Sequence, residues 1–245
     1  EFDPAGLAVV ERYKLLIGAI VPRPIGWVST VNAEGRANLA PFSFFNAIGS
    51  NPMALLFCPA NNSDGSEKDS LRNAESSGEF VVNVATEPNE RQMAASAEAL
   101  AHGESEFDLT GLTPAACRVV KAPRVEEAPL SFECRVERII RMNPGAPAGG
   151  NVVIGEVVWI HAAEGLVNER FHVDPERLRA VGRMAGLTYV RTRERFDIPW
   201  GRKALEEDMM WACAGACAGR VWGAGIAPGG LSRTWSAGRV RGCPW

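Results

Sequence analysis

The sequence predicts a mainly β fold, a barrel with helices at its periphery, and three observations carry that expectation. Short runs rich in β-branched and aromatic residues recur along the chain, separated by turn residues. Segments of helical composition are few and do not alternate regularly with those runs, which argues against a doubly wound parallel sheet. At 245 residues, 46% hydrophobic and 22% charged, the chain has enough apolar side chain for a substantial globular core.

The elements follow in chain order. Residues 25–31 (IGWVSTV) have strand composition, residues 32–35 (NAEG) form a turn signal, and residues 37–44 read as the returning strand. Residues 52–57 (PMALLF) are a continuous apolar run suited to a buried strand. A polar loop at 61–68 leads into a helix over 69–76, with Ser66 to Asp69 resembling a capping box and Gly78 as the stop. Residues 79–85 (EFVVNVA) alternate like a strand, and 88–101 are rich in helix formers with Pro88 at the tolerated first turn. An acidic loop is expected at 102–108. Residues 131–140 (SFECRVERII) and 152–161 (VVIGEVVWIH) read as long strands joined by the irregular loop 143–150, and 174–181 as a helical turn or short helix.

From about Lys203 the character changes. Four of the seven tryptophans, eight of the 25 glycines and three of the six cysteines lie after Asp208, without periodicity. The expected organisation is one domain over residues 1–203 and a tail over 204–245, either a disordered or adventitious extension or an interaction segment.

Several chemistries are excluded by pattern. A net charge of −3 offers no dense basic patch for nucleic acid. No run is long enough to span a bilayer, and no secretion signal is evident. The scattered cysteines suggest a reducing, cytoplasmic setting and no disulfide framework. Gly223-Ala224-Gly225 approaches a dinucleotide fingerprint, but Pro228 stands at its third glycine and no strand precedes it. Cys213 and Cys217 lack a second pair or histidines to complete a zinc site, and none of the three histidines neighbours a nucleophile elbow.

One feature survives these exclusions. Ser29, Thr30, Asn38 and Ser43 interrupt the apolar positions of the first hairpin, among Trp27, Phe42, Phe44 and Phe45. Hydroxyls and an amide between aromatic rings suit a flat ligand with a polar edge. An ordinary hairpin with one solvated face would carry the same pattern.

The stretches Pro22-Arg23-Pro24-Ile25, Trp27-Val28-Ser29-Thr30 and Asn38-Leu39-Ala40-Pro41-Phe42-Ser43 resemble the flavin reductase-like, FMN-binding split-barrel family. That group includes flavoredoxins and the reductase components of two-component monooxygenases. The resemblance continues through Lys68 to Asn73, Glu79 to Asn83, Glu106-Phe107, Cys134, Gly155 to Val157 and Arg183, and covers roughly residues 8 to 200. It implies a six-stranded Greek-key split barrel, a homodimer and FMN held non-covalently near the dimer interface.

Mapped onto this chain, the resemblance assigns Trp27 and Phe44 as ring walls, and Ser29, Thr30, Asn38 and Ser43 as partners of the ring edge. Ala40 joins the cofactor-binding positions. The helix start at 66–70 offers free amides and the positive dipole end to the phosphate, with Lys68, Ser63 and Ser70 completing the cradle. Arg23 would reach the phosphate or cap the barrel, and Arg183 would contact cofactor, the partner subunit or a surface carboxylate. His161 is the candidate catalytic residue, positioning nicotinamide or ring. The expected activity is hydride transfer from NAD(P)H to FMN, with reduced flavin or electrons passed to a partner such as a monooxygenase. A flavoredoxin-like carrier without NAD(P)H oxidation and a non-catalytic flavin-binding protein are the alternatives.

Overall fold

The computed structural model describes residues 1–100 and 104–206. Eleven strands and six α-helices occur among them. The chain opens with a 3-10 turn (Pro4–Gly6) and α1 (Val9–Ala19), followed by β1 (Gly26–Val31), β2 (Ala37–Phe42), β3 (Phe45–Ser50) and β4 (Met53–Phe57). Next come α2 (Asp69–Ser77), β5 (Glu79–Val84), α3 (Glu90–Ala95), α4 (Glu106–Thr110) and the two-residue strands β6 (Pro114–Ala115) and β7 (Arg124–Val125). The long hairpin β8 (Leu130–Arg141) and β9 (Asn151–Ala162) precedes α5 (Pro175–Leu178), β10 (Val181–Arg183), β11 (Tyr189–Arg191) and α6 (Lys203–Glu206).

Seven strands form one antiparallel sheet in the order β2-β1-β5-β8-β9-β4-β3. The resemblance implied six. The two edge strands, β2 and β3, are consecutive in the chain and are linked only by Ser43 and Phe44. Three Cα–Cα steps reach at most roughly 11 Å, so the opposite edges of the sheet meet at that corner and the sheet must curl into a barrel. The predicted strand over 37–44 therefore breaks at Ser43, where the chain changes edge.

The barrel interior is apolar. Val28, Phe42, Leu55, Phe57, Phe80, Val82, Cys134 and Val153 form one cluster, closed by Leu71 and Ala74 of α2. The Phe57 ring packs tilted against Phe42 and edge-on against Phe80, with centroids 5.1 Å and 5.0 Å apart. A Cβ on Gly155 would lie 2.5 Å from the Phe80 ring, so this strand position has room only for glycine. A second cluster packs Trp27, Ile25 and Leu39 against Met93 of α3, Phe107 of α4, Val125 and Val181. Strand β1 thus has apolar partners on both faces, and five of its six residues are buried.

Helix α2 starts and stops as its residues require. Gly78 ends it at φ 71°, a left-handed conformation that glycine adopts freely. The start differs from the expected capping box. Lys68 is the N-cap, and the Ser66 hydroxyl instead donates to Asp64 Oδ1 at 2.6 Å and accepts from Asn62 Nδ2 at 3.0 Å. The helix expected over 88–101 is shorter, a 3-10 turn at Glu87–Asn89 followed by α3, which ends at Ser96. There the Ser96 hydroxyl donates back to the Met93 carbonyl at 2.8 Å and accepts the Trp27 indole N–H at 2.9 Å. The expected loop at 102–108 contains the start of α4, capped by the Ser105 side chain.

The chain divides into two compact units, Glu1–Arg195 and Phe196–Trp245. Of the second, residues 196–206 are described and include α6. The tail expected from 204 onward otherwise lies outside the described residues. No helix among the described residues is long and apolar enough to cross a membrane.

Candidate functional site

The polar residues of the first hairpin have two fates. On β1 they are structural. Ser29 and Thr30 are fully buried: the Ser29 hydroxyl donates to the Pro123 carbonyl at 2.5 Å, and Thr30 Oγ1 accepts from Asn73 Nδ2 at 3.1 Å. Trp27 is likewise fully buried, its indole N–H held by Ser96. None of these three residues lines the cavity beside β2, although they were expected at the ring wall and ring edge. The reason is that β1 is an inner strand covered on both faces.

On β2, an edge strand, the side chains reach open space. A cavity of about 480 Å³ lies between β2, the start of α2, α4 and residues 96–100. Asn38, Ala40, Lys68 and Ser70 of the expected set line it, together with Arg36, Pro41, Phe42, Asn62, Asp69, Arg72 and Glu106. Asn38 Nδ2 donates to the Ser70 hydroxyl at 3.0 Å and so joins β2 to the first turn of α2. Lys68 Nζ donates to Asn62 Oδ1 at 3.1 Å, and Arg72 pairs with Asp69 while donating to the Glu67 carbonyl at 2.7 Å.

The start of α2 is the chemically distinctive part. A lysine side chain has no acceptor, so Lys68 at the N-cap leaves the first amides of the helix without a side-chain cap. Those amides, the positive end of the helix, the Lys68 ammonium and the Ser70 hydroxyl together offer donors to a multiply charged oxyanion, beside the Asp69 carboxylate that Arg72 pairs. At the other end of the cavity, Glu106 is buried and accepts the Leu39 amide at 2.8 Å, which ties α4 to the outer edge of β2. Burial pushes the Glu106 carboxyl above the ordinary carboxylate range, and the Leu39 amide offsets part of that.

The remaining expected residues lie elsewhere. Arg23 is buried and donates to the carbonyls of Ile17 and Ile20 at 2.7 Å, to the Met184 carbonyl at 2.9 Å and to the Ser43 hydroxyl at 3.2 Å. It fastens the end of α1 and the end of β10 to the β2–β3 corner, as the expected barrel-capping role would have it, and it does not line the cavity beside β2. Ser43 is engaged by that contact, and the Phe44 ring lies 5.9 Å from the Arg23 guanidinium. Arg183 stacks at 4.4 Å on Tyr189 and donates to its hydroxyl and to the Gly186 carbonyl. Ser63 is exposed and does not line the cavity. His161 pairs with Glu133, its Nε2 2.6 Å from Oε1, and is also absent from the cavity wall.

Among the cavity residues not assigned to the site from sequence are Asn62, Arg72 and Glu106. Arg72 stands four residues after Lys68, the spacing that places two residues on one helix face. Glu106 enters the sequence reading only as part of the family resemblance, because a glutamate in an acidic stretch otherwise reads as solvated until the fold buries it.

Flavin mononucleotide fits what is present. The cavity volume falls within the range of roughly 300–1,000 Å³ typical of cofactor sites. The donor set at 68–70 suits a phosphate dianion, and Ala40, Pro41 and Phe42 supply an apolar wall for a ring.

Comparison with known proteins follows the same line. Residues 18–194 match the family described as "Flavin reductase like domain". An uncharacterized protein of Aquifex aeolicus is 38% identical over 179 residues, covering 73% of this chain and 89% of that one. Among solved structures, nitrilotriacetate monooxygenase component B from Bacillus cereus is similar with a TM-score of 0.77 and 36% identity, over 81% of this chain and 98% of that one. The 2-nitrobenzoate 2-nitroreductase NbaA of Pseudomonas fluorescens is similar with a TM-score of 0.73 and 28% identity, over 82% and 96% of the two chains.

Proposed function

This chain belongs to the flavin reductase-like family, and from that premise we propose that it holds FMN in the β2–α2 cavity and moves hydride from NAD(P)H to it. The single observation that carries the FMN reading is the uncapped start of α2, with Lys68 and Ser70 opening into the cavity. When bound, the flavin supplies the redox chemistry, taking hydride from nicotinamide and yielding electrons to an acceptor.

The chain's own residues bind and orient. Lys68, the Ser70 hydroxyl and the first α2 amides hold the phosphate. Asn38, fixed by its bond to Ser70, keeps the phosphate end in register with β2. Ala40, Pro41 and Phe42 wall the ring, and Glu106 holds the outer edge of β2 through the Leu39 amide. No side chain is needed as acid or base, because hydride transfer between two rings is a matter of their placement.

The same reading extends to assembly. Helix α1 exposes Val9, Val10, Tyr13, Leu16 and Ile20 and buries only Ile17, an apolar face that a second copy would cover as a homodimer. The acceptor of the electrons is a flavin-dependent monooxygenase or another small-molecule or protein oxidant in the cytoplasm. Residues 209–245 are dispensable for folding and FMN binding, so a chain ending at Asp208 should keep both.

An FMN titration followed by absorbance and fluorescence tests the cofactor, with riboflavin as the probe for the phosphate. FMN should bind at least tenfold more tightly; equal affinities would remove the phosphate site from α2. Steady-state oxidation of NADH and NADPH with added flavin tests the reaction, and turnover with neither would sink the reductase reading.

A further inference from the structure

Away from the β2–α2 cavity, three chemically different metal ligands meet. Cys117 comes from the segment before β7, Glu133 from β8 and His161 from the end of β9. Their sulfur, carboxylate oxygen and ring nitrogen all lie within 4.8 Å of one another. We infer that Cys117, Glu133 and His161 form a site for one zinc-type divalent ion, with a fourth position open to water.

The site is rigid where it needs to be. Glu133 is fully buried, and its carboxylate accepts the amides of Arg118 at 2.8 Å, Val119 at 2.6 Å and Val120 at 2.9 Å. The segment that supplies those three amides also carries Cys117, so the thiol is delivered by the same backbone that aims the carboxylate. Oε2 takes two of the amides, while Oε1 takes one and turns to His161 Nε2 at 2.6 Å. The Arg118 guanidinium is stacked 4.4 Å over the Trp159 ring. It therefore meets an aromatic face while its backbone N–H meets Glu133.

The geometry is close to what an ion requires. Bonds of about 2.3 Å to sulfur and 2.0–2.2 Å to nitrogen or oxygen, at tetrahedral angles, separate ligand atoms by roughly 3.3–3.7 Å. The 2.6 Å contact would open by about 0.7 Å and the widest separation would close by about 1 Å. Side-chain torsions supply shifts of that size. The charge also balances. A divalent cation with one carboxylate, one thiolate and a neutral imidazole has no net charge, so the buried Glu133 anion is neutralised. The thiol proton leaves to solvent, the ion displaces the proton that Nε2 shares with Glu133 Oε1, and the neutral imidazole then carries its one proton on Nδ1. The His161 side chain is 26% exposed, which gives water access to the fourth position.

The test uses the full chain, stripped of metal and titrated with Zn²⁺ by calorimetry, then with Co²⁺ by visible absorbance. One Zn²⁺ should bind per chain, and Cys117→Ser and His161→Gln should each weaken it at least tenfold. Cys58→Ser, on a half-buried cysteine outside the cluster, should leave it unchanged. Co²⁺ should show the intense visible bands of a tetrahedral site and a thiolate charge-transfer band, which Cys117→Ser abolishes. Thermal melts establish that the variants are folded, and His161→Gln carries the test if the cysteine variant is not. The proposal is overturned by absence of Zn²⁺ binding in the wild type, or by binding that survives unchanged in both variants, as an ion held by Cys213 and Cys217 would.

Discussion

The two arms of the first hairpin carry the same kinds of polar residue and use them for opposite ends. On β1, Ser29 and Thr30 are sealed between two apolar clusters, and their hydroxyls bond to Pro123 and Asn73. On β2, Asn38 reaches the cavity beside Ser70 and Lys68. The difference is position in the sheet. An inner strand covered on both faces can keep a polar side chain only by pairing it internally, whereas an edge strand can offer one to a ligand. Residue type by itself does not distinguish a structural hydroxyl from a ligand-binding one.

That contrast can be broken most forcefully at Asn83, which serves β1 and β5. Its amide donates to the Trp27 carbonyl and the Ser29 hydroxyl, and its oxygen accepts from the Val125 amide and the Ser131 hydroxyl. Asn83→Ala orphans those buried groups and should cost about 3–4 kcal/mol of unfolding free energy. Denaturant melts measure the loss, and the FMN affinity of the folded fraction should not move.

Lys68→Ala is the mirror experiment. FMN affinity should fall by about 10- to 100-fold, as expected for one charge-assisted contact to phosphate, with stability within about 0.5 kcal/mol of wild type. Riboflavin affinity should be unaffected. A large melt shift with unchanged FMN binding would place Lys68 in the β1 class. Thr30→Val keeps the shape and removes the acceptor for Asn73, so a loss of about 1–2 kcal/mol with FMN affinity intact is expected.

The smallest effect concerns pH. Glu106 has its carboxyl pushed up by burial, so its ionisation opposes folding. The associated stability is full below the unfolded carboxylate range and is lost as pH rises through the higher folded value. Glu106→Gln should therefore gain stability near neutrality and gain nothing in mild acid, compared by denaturant melts at the two pH values. Glu133 behaves oppositely. Burial alone would raise it, but the amides of Arg118 and Val120, then His161 and the Val119 amide, hold it below the ordinary range. It contributes stability at neutral pH that is lost on acidification.

Much of the barrel was legible before any coordinates. The strands at 26–31, 79–84, 130–141 and 151–162 follow β-branched runs, that at 53–57 follows a continuous apolar run, and α2 is bounded by Gly78. Helix α1 was not expected from the sequence, and in the fold it buries only Ile17. Strand β3 escaped because FNAIGS has little strand composition. It forms by pairing with β4, at an edge the chain reaches through Ser43 and Phe44.

Local composition and spacing by themselves determined the β class and the helix that begins near Lys68, since each depends on near neighbours in sequence, while the family was legible only as a resemblance of motifs. Only the tertiary structure decided which of the hairpin's polar residues are free to bind. Burial depends on what packs from elsewhere: α2 over Thr30, Pro123 over Ser29, and Ser96 over Trp27. It also engaged the Arg23 guanidinium with three carbonyls, and it brought Cys117 from a distant segment to Glu133 and His161. Contacts between residues tens of positions apart leave no periodic trace in the chain that makes them.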